Sequence, residues 1–254
     1  MGASNQISIW SPFWVTLGRG LRHVALPSLC HFCEDILQPD ENHFCMACQL
    51  KLPTAMENQC IQCGAEIGPN LDSNQGCVHC NQGELPLKKV ISLGAYKGLM
   101  EQAIRKIKFL QHEGLAECLG IQLGERIKKT RLSPDLVAPI PQHWRRWLQR
   151  GYNQAETIGR MVARVLRIPM VSWAIMKKVA TLPQRGLPST RRKANLKGCF
   201  AVHPKAPVRG KHILLVDDVL TTGSTCTEAF RELLRSGAAE VSAGVLARAT
   251  GGNI

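Results

Sequence analysis

The chain has 254 residues, with 32 Lys and Arg against 19 Asp and Glu and a formal charge of +13 at pH 7. That length holds one large domain or two modest ones, each with a real core. The charge is local rather than general: residues 1–95 carry 5 basic and 8 acidic groups, residues 96–134 carry 8 and 4, and residues 135–254 carry 19 and 7.

Residues 1–29 form an N-terminal tail whose apolar stretch, Ile7 to Leu17, is shorter than the roughly 20 apolar residues a bilayer span needs. It has neither a basic leader nor a small-residue cleavage site, so it predicts no signal peptide and a cytoplasmic chain without a membrane span. Next, residues 30–84 are short loops hung on cysteines. Cys30-x2-Cys33 and Cys45-x2-Cys48 are 11 residues apart, and Cys60-x2-Cys63 and Cys77-x2-Cys80 are 13 apart. Two residues between thiolates let one tight turn present both sulfurs to a tetrahedral ion, so eight thiolates predict two structural Zn2+ ions. Disulfides fit a cytosolic chain poorly, and redox pairs normally come singly beside a strand and helix. Whether the pairs share ions in chain order or crossed is open. His31, His43 and His79 are bystanders, and Cys118, Cys199 and Cys226 read as small core residues.

From about Lys88 the texture changes. Val90–Tyr96 predicts a strand, and Met100–Leu110 and Leu115–Ile127 place apolar residues at helical spacing, which makes residues 85–134 a hood or connector. Residues 135–254 alternate: strand Leu136–Pro141, helix Asn153–Leu166, strand Met170–Met176, an aperiodic stretch Thr181–Gly198, strand His212–Val216, helix Ser224–Arg235 closed by Gly237, and strand Val241–Leu246. This alternation predicts an α/β domain with a mostly parallel sheet covered on both faces, in which ligands sit beyond the carboxyl ends of the strands.

The run HILLVDDVLTTGSTCTEAF, His212–Phe230, delivers Asp217 and Asp218 to that ligand side. Thr221, Thr222, Gly223, Ser224 and Thr225 then enter a helix whose unpaired N–H groups and positive dipole end attract a phosphate. Acids for vicinal hydroxyls or a hydrated Mg2+, followed by a phosphate loop, match a ribose 5-phosphate. A Walker B strand is disfavoured because no G-x-x-x-x-G-K-[ST] loop occurs, and no G-x-G-x-x-G follows a strand to make a dinucleotide site.

ILLVDDVLTTGST resembles the phosphoribosyl-pyrophosphate (PRPP) signature of type I phosphoribosyltransferases. Together with LPSLCHFC, GAYKG, IRKIKF, PIP, RGYNQAE and the NLKGCF stretch, it resembles the ComF family of competence-associated proteins over nearly the whole chain after residue 25. The resemblance implies a phosphoribosyltransferase-like domain joined to an N-terminal zinc-ribbon module. It implies that Asp217 and Asp218 hold the ribose hydroxyls and Thr221 to Thr225 the 5-phosphate. The turn at Ile140 and Pro141 would face pyrophosphate, with Arg150, Arg192 and Lys193 as basic partners and Mg2+ accompanying PRPP. Whether phosphoribosyl transfer follows, and to what acceptor, is unread.

The basic patch points further. Residues 142–198 hold 13 basic groups and a single acid, Glu156, more than one PRPP requires. Trp144, Trp147 and Tyr152 interleave with Arg145, Arg146 and Arg150, the mixture that tracks a single-stranded backbone and stacks bases. The alternative is that the Trp pair packs the hood and the arginines serve pyrophosphate. The family resemblance, with its association with natural transformation, implies a PRPP-binding protein that handles imported single-stranded DNA, with DNA-uptake or recombination proteins as further partners. The other readings are an active phosphoribosyltransferase with no DNA role and a zinc-stapled adapter.

Overall fold

The computed structural model describes residues 28–38, 40–41, 43–52, 59–60, 62–68, 76–81, 89–142, 152–178, 198–221 and 223–250. The chain divides into two compact units, residues 1–51 and 52–254, so the boundary falls between the two cysteine sets. In the smaller unit a bridge between Leu29 and Ile36 closes the loop bearing Cys30 and Cys33. Helix α1 (Met46–Lys51) follows Cys45. Among the described residues its apolar interior is little more than Phe32, Leu37 and Phe44 beside the cysteines, a core small enough to call for a staple.

In the larger unit, helix α2 (Val78–Asn81) carries Cys80. It is followed by β1 (Val90–Ala95), α3 (Gly98–Phe109), α4 (Glu113–Lys128), β2 (Leu136–Pro139) and α5 (Gln154–Leu166). The chain continues with β3 (Ile175–Lys177), β4 (Phe200–Val202), β5 (His212–Leu220), α6 (Ser224–Arg235) and β6 (Glu240–Arg248). Four strands form one sheet in the order β1, β6, β5, β2, and every pairing in it is parallel. The near-continuous apolar runs in β5 and β6 follow from this, since a parallel sheet is covered on both faces.

One face packs under α6. Its layer includes Leu136, Ala138, Ile213, Leu215, Ala243 and Val245 from the strands and Cys226, Ala229, Phe230 and Leu233 from the helix. The other face carries α4 and α5, which meet closely because α4 presents glycines there. A Cβ on Gly124 would lie 2.8 Å from Val165 Cβ, and one on Gly120 would lie 3.0 Å from the Ile158 carbonyl. The strand expected over Met170–Met176 is broken. Met170 makes one isolated bridge to Val137, and β3 begins only at Ile175, pairing antiparallel with β4, a strand the sequence pattern did not announce. The strand expected to stop at Val216 runs on to Leu220, because β6 continues to pair with it through Leu220 and Arg248. Among the described residues no helix is long and apolar enough to cross a membrane.

Candidate functional site

The longer β5 changes the setting of the two acids. Asp217 and Asp218 sit inside the strand's second half, not beyond its end, and Asp217 pairs with Val245 of β6. Successive strand residues face opposite sides. Asp218 therefore shares the face of Leu214 and Val216, where α3 and α5 lie, and Asp217 shares the face of Ile213 and Leu215, where α6 lies.

Asp218 is almost fully buried and held twice. Lys108 Nζ from the end of α3 stands 2.9 Å from its Oδ1, and Gln154 Nε2 from the start of α5 donates to its Oδ2 at 2.7 Å. Gln142 Nε2 in turn donates to Gln154 Oε1. Burial works to lower the Lys108 pKa, but the neighbouring Asp218 and Asp217 carboxylates outweigh it and raise the ammonium above its ordinary value. Helix α5 is set in place by its cap: Asn153 Oδ1 accepts from the Ala155 amide at 3.2 Å, and Asn153 Nδ2 donates to the Ile140 carbonyl at 3.4 Å. The Tyr152 hydroxyl donates to the Ile107 carbonyl, which ties the entrance of α5 to the end of α3.

Asp217 has different chemistry. Its Oδ1 accepts from the Asp218 amide at 2.8 Å. Burial and then the adjacent Asp218 carboxylate push its pKa up to about 7, against the opposing pull of the Asp218 amide and Lys108. A hydrated Mg2+ or a set of hydroxyl donors would favour the ionised form that burial and Asp218 disfavour.

After Leu220 the chain turns through Thr221 to Gly223, which adopts φ +75° and ψ 0° at the N-cap of α6. That left-handed conformation favours glycine over any residue with a Cβ. The N-cap residue is a glycine and has no side chain with which to cap the helix, and the first amides of a helix are donors suited to an anion. Thr221 and Thr225 are half-buried beside it. Arg248, at the end of β6, fixes the entry to the turn: its Nη1 donates to the carbonyls of Leu220 at 3.0 Å, of Ala249 at 2.7 Å and of Thr221.

The eight cysteines gather into two sets in chain order, Cys30, Cys33, Cys45 and Cys48, then Cys60, Cys63, Cys77 and Cys80, with each set's sulfurs within 4.8 Å of one another. This removes the crossed arrangement. The sulfurs lie 3.6 Å apart for Cys33 and Cys45, 3.5 Å for Cys60 and Cys80, 3.5 Å for Cys63 and Cys77 and 3.9 Å for Cys77 and Cys80. A disulfide needs about 2.05 Å, whereas four sulfurs about 2.3 Å from a central Zn2+ lie about 3.8 Å apart at tetrahedral edges. Both sets fit zinc.

Of the residues named from sequence, Asp217, Asp218, Thr221, Gly223 and Thr225 stand together at the carboxyl end of β5. The backbone of Ile140, at the end of β2, is joined to that strand by its amide on the Val216 carbonyl at 2.8 Å. Pro141 follows it, half-buried. Trp144, Arg145, Arg146, Trp147, Arg150, Arg192, Lys193, Thr222 and the Ser224 side chain lie outside the described residues. Sequence reasoning missed Lys108, Gln154 and Arg248. Lys108 did carry a signal. It sits four residues after Ile104 on the stripe of Met100, Ala103, Ile104 and Ile107 that α3 buries, a place where a lone cation needs a partner.

A parallel sheet with carboxylates at the carboxyl end of one strand, leading through a glycine turn into an open helix start, is a phosphoribosyltransferase-type domain. Residues 153–253 match the family model described as the phosphoribosyl transferase domain. Over 230 residues, covering 89% of this chain and 99% of its relative, the sequence is 31% identical to DNA utilization protein YhgH of Escherichia coli strain K12. It is 31% identical over 227 residues to Competence protein F of Haemophilus influenzae, covering 87% and 96%. It is 26% identical over 225 residues to Competence protein ComFC of Bacillus subtilis, covering 84% and 87%. The chain belongs to the ComF family of competence-associated proteins.

Proposed function

We propose that the chain binds PRPP with Mg2+ at the carboxyl end of β5 and uses this site while handling single-stranded DNA in the cytoplasm during natural transformation. The observation that carries the PRPP reading is the path from Asp217 and Asp218 through Gly223 at φ +75° into a helix whose N-cap is glycine. On this reading the α6 amides and the hydroxyls of Thr221, Thr222, Ser224 and Thr225 take the 5-phosphate. Asp217 faces the ribose hydroxyls, and Asp218, steadied by Lys108 and Gln154, completes the acidic wall. The backbone at Ile140 and Pro141, with Arg150, Arg192 and Lys193, faces pyrophosphate. Mg2+ would neutralise the departing pyrophosphate and any charge it gathers if C1 is attacked. The protein's own part is to orient the sugar and exclude water from C1.

Two Zn2+ ions, one per cysteine set, are structural on this reading. The DNA role rests on the 13 basic groups of residues 142–198 and on relatives whose names refer to DNA utilization and competence. Isothermal titration of the zinc-loaded protein with PRPP and Mg2+ tests the site: single-site binding is expected, and its loss in Asp217→Asn locates it. Equal binding by the native and Asp217→Asn proteins would remove the site from this strand.

A further inference from the structure

The second cysteine set is fastened to β1, the edge strand of the sheet. The Val90 amide of β1 donates to the Gln62 carbonyl at 3.0 Å, and Ser92 Oγ donates to the Gly64 carbonyl at 2.9 Å. Gln59 Nε2 donates to the Ser92 carbonyl at 3.2 Å, while Arg126 Nη2 donates to Gln59 Oε1 at 2.9 Å. These buried and half-buried bonds anchor the set. The exposed Lys97–Glu66 pair, at 2.6 Å with side chains 72% and 44% exposed, adds at most about 1 kcal/mol.

β1 in turn pairs with β6, Ala95 opposite Arg248. Arg248 is 5% exposed. Nη1 holds the carbonyls at the entry to the phosphate turn. Among the described residues its Nε is buried with no hydrogen-bond partner; burial lowers the guanidinium's pKa, and Cys63 and Cys77 are among the groups that oppose that. A Zn2+ held by four thiolates carries a net negative charge, and its sulfurs accept N–H hydrogen bonds from outer partners that orient them. A buried guanidinium supplies both the charge and a planar fork of donors, which an ammonium does not.

We propose that Arg248 is a positioning residue that couples the Cys60–Cys63–Cys77–Cys80 centre to the turn at Thr221–Thr225, so that a bound metal orders the turn. By reciprocity, whatever the turn binds helps retain the metal. The functional meaning of that coupling rests on the phosphate reading, but the coupling itself does not.

Hydrogen exchange on the full-length, zinc-loaded protein tests it without any ligand. Chelating the metal should speed exchange of residues 219–226 about tenfold while α4 keeps its protection. Arg248→Lys should give the same acceleration with zinc still present, and should release one of its zinc ions to a chelator about tenfold faster than the native protein does. Unchanged exchange at 219–226 in the stripped native protein overturns the proposal. So does an Arg248→Lys protein that matches the native one in turn exchange and metal release. Should chelation also expose α4, the release rate of Arg248→Lys decides. Failure to bind PRPP removes the phosphate reading and leaves these outcomes as they are.

Discussion

Replacing Lys108 with Met isolates the charge that steadies the acidic wall. The Lys108–Asp218 pair spans 2.9 Å with side chains only 23% and 7% exposed. Removing one partner of a buried pair costs about 3–5 kcal/mol, because the other charge is left uncompensated. Gln154 still donates to Asp218 at 2.7 Å, so the lower end applies, about 3 kcal/mol. For a unit of this size that corresponds to a fall in Tm of about 6–12 °C. The assay is thermal unfolding by circular dichroism with zinc present, on a double-mutant cycle of Lys108→Met and Asp218→Asn. The double variant should recover about 2 kcal/mol relative to additivity, since the stranded carboxylate is gone. Lys97→Met, which removes only the exposed pair, should cost under about 0.5 kcal/mol. A Lys108→Met protein within about 0.5 kcal/mol of the native one, or no rescue by Asp218→Asn, would mean that Lys108 does not steady Asp218.

The raised Asp217 pKa sets a pH dependence. Its neutral form is favoured by the fold, so its contribution to stability is fully present below the ordinary value of 3.8 and is lost as pH rises through about 7. Melting the ligand-free protein against Asp217→Asn from about pH 5 to about pH 8 should show the variant gaining relative stability at the alkaline end; parallel curves contradict the assignment. Binding of Mg2+ with PRPP needs the ionised carboxylate, so affinity should rise through about pH 7, and titration in two buffers of different ionisation heat should detect a released proton below it. Gly223→Ala meets the +75° φ and should cost about 1–2 kcal/mol while weakening PRPP more than it weakens DNA. Single-stranded DNA affinity should fall steeply with salt, and a log–log slope near zero contradicts phosphate contacts by the basic stretch.

Much of the architecture was legible because its signals are local. Apolar runs bounded by turns gave β1, β2, β5 and β6, helical spacing gave α3 to α6, and the paired cysteines gave two tetrads. Where β5 ends was not legible, since Asp217, Asp218 and Val219 look like a strand end until β6 is known to pair alongside them. The Met170–Met176 run looks like a strand by composition, but only its last residues find a partner, in β4. The turn from Thr221 into α6 was readable from its residue types, whereas its supports were not. Gln154 looks like one more helix-start residue after its Asn153 cap. Arg248 closes an apolar strand with no pattern to mark it, and its hold on the turn follows only from the carbonyls that the fold brings to it.

Diffraction from crystals soaked in PRPP and Mg2+ would show whether a ribose-phosphate pocket lies where β5 meets α6. The predicted result is a phosphoryl group against the first amides of α6, with the ribose hydroxyls toward Asp217. Density for the sugar donor elsewhere on the molecule, with the turn after Leu220 unchanged and vacant, contradicts it.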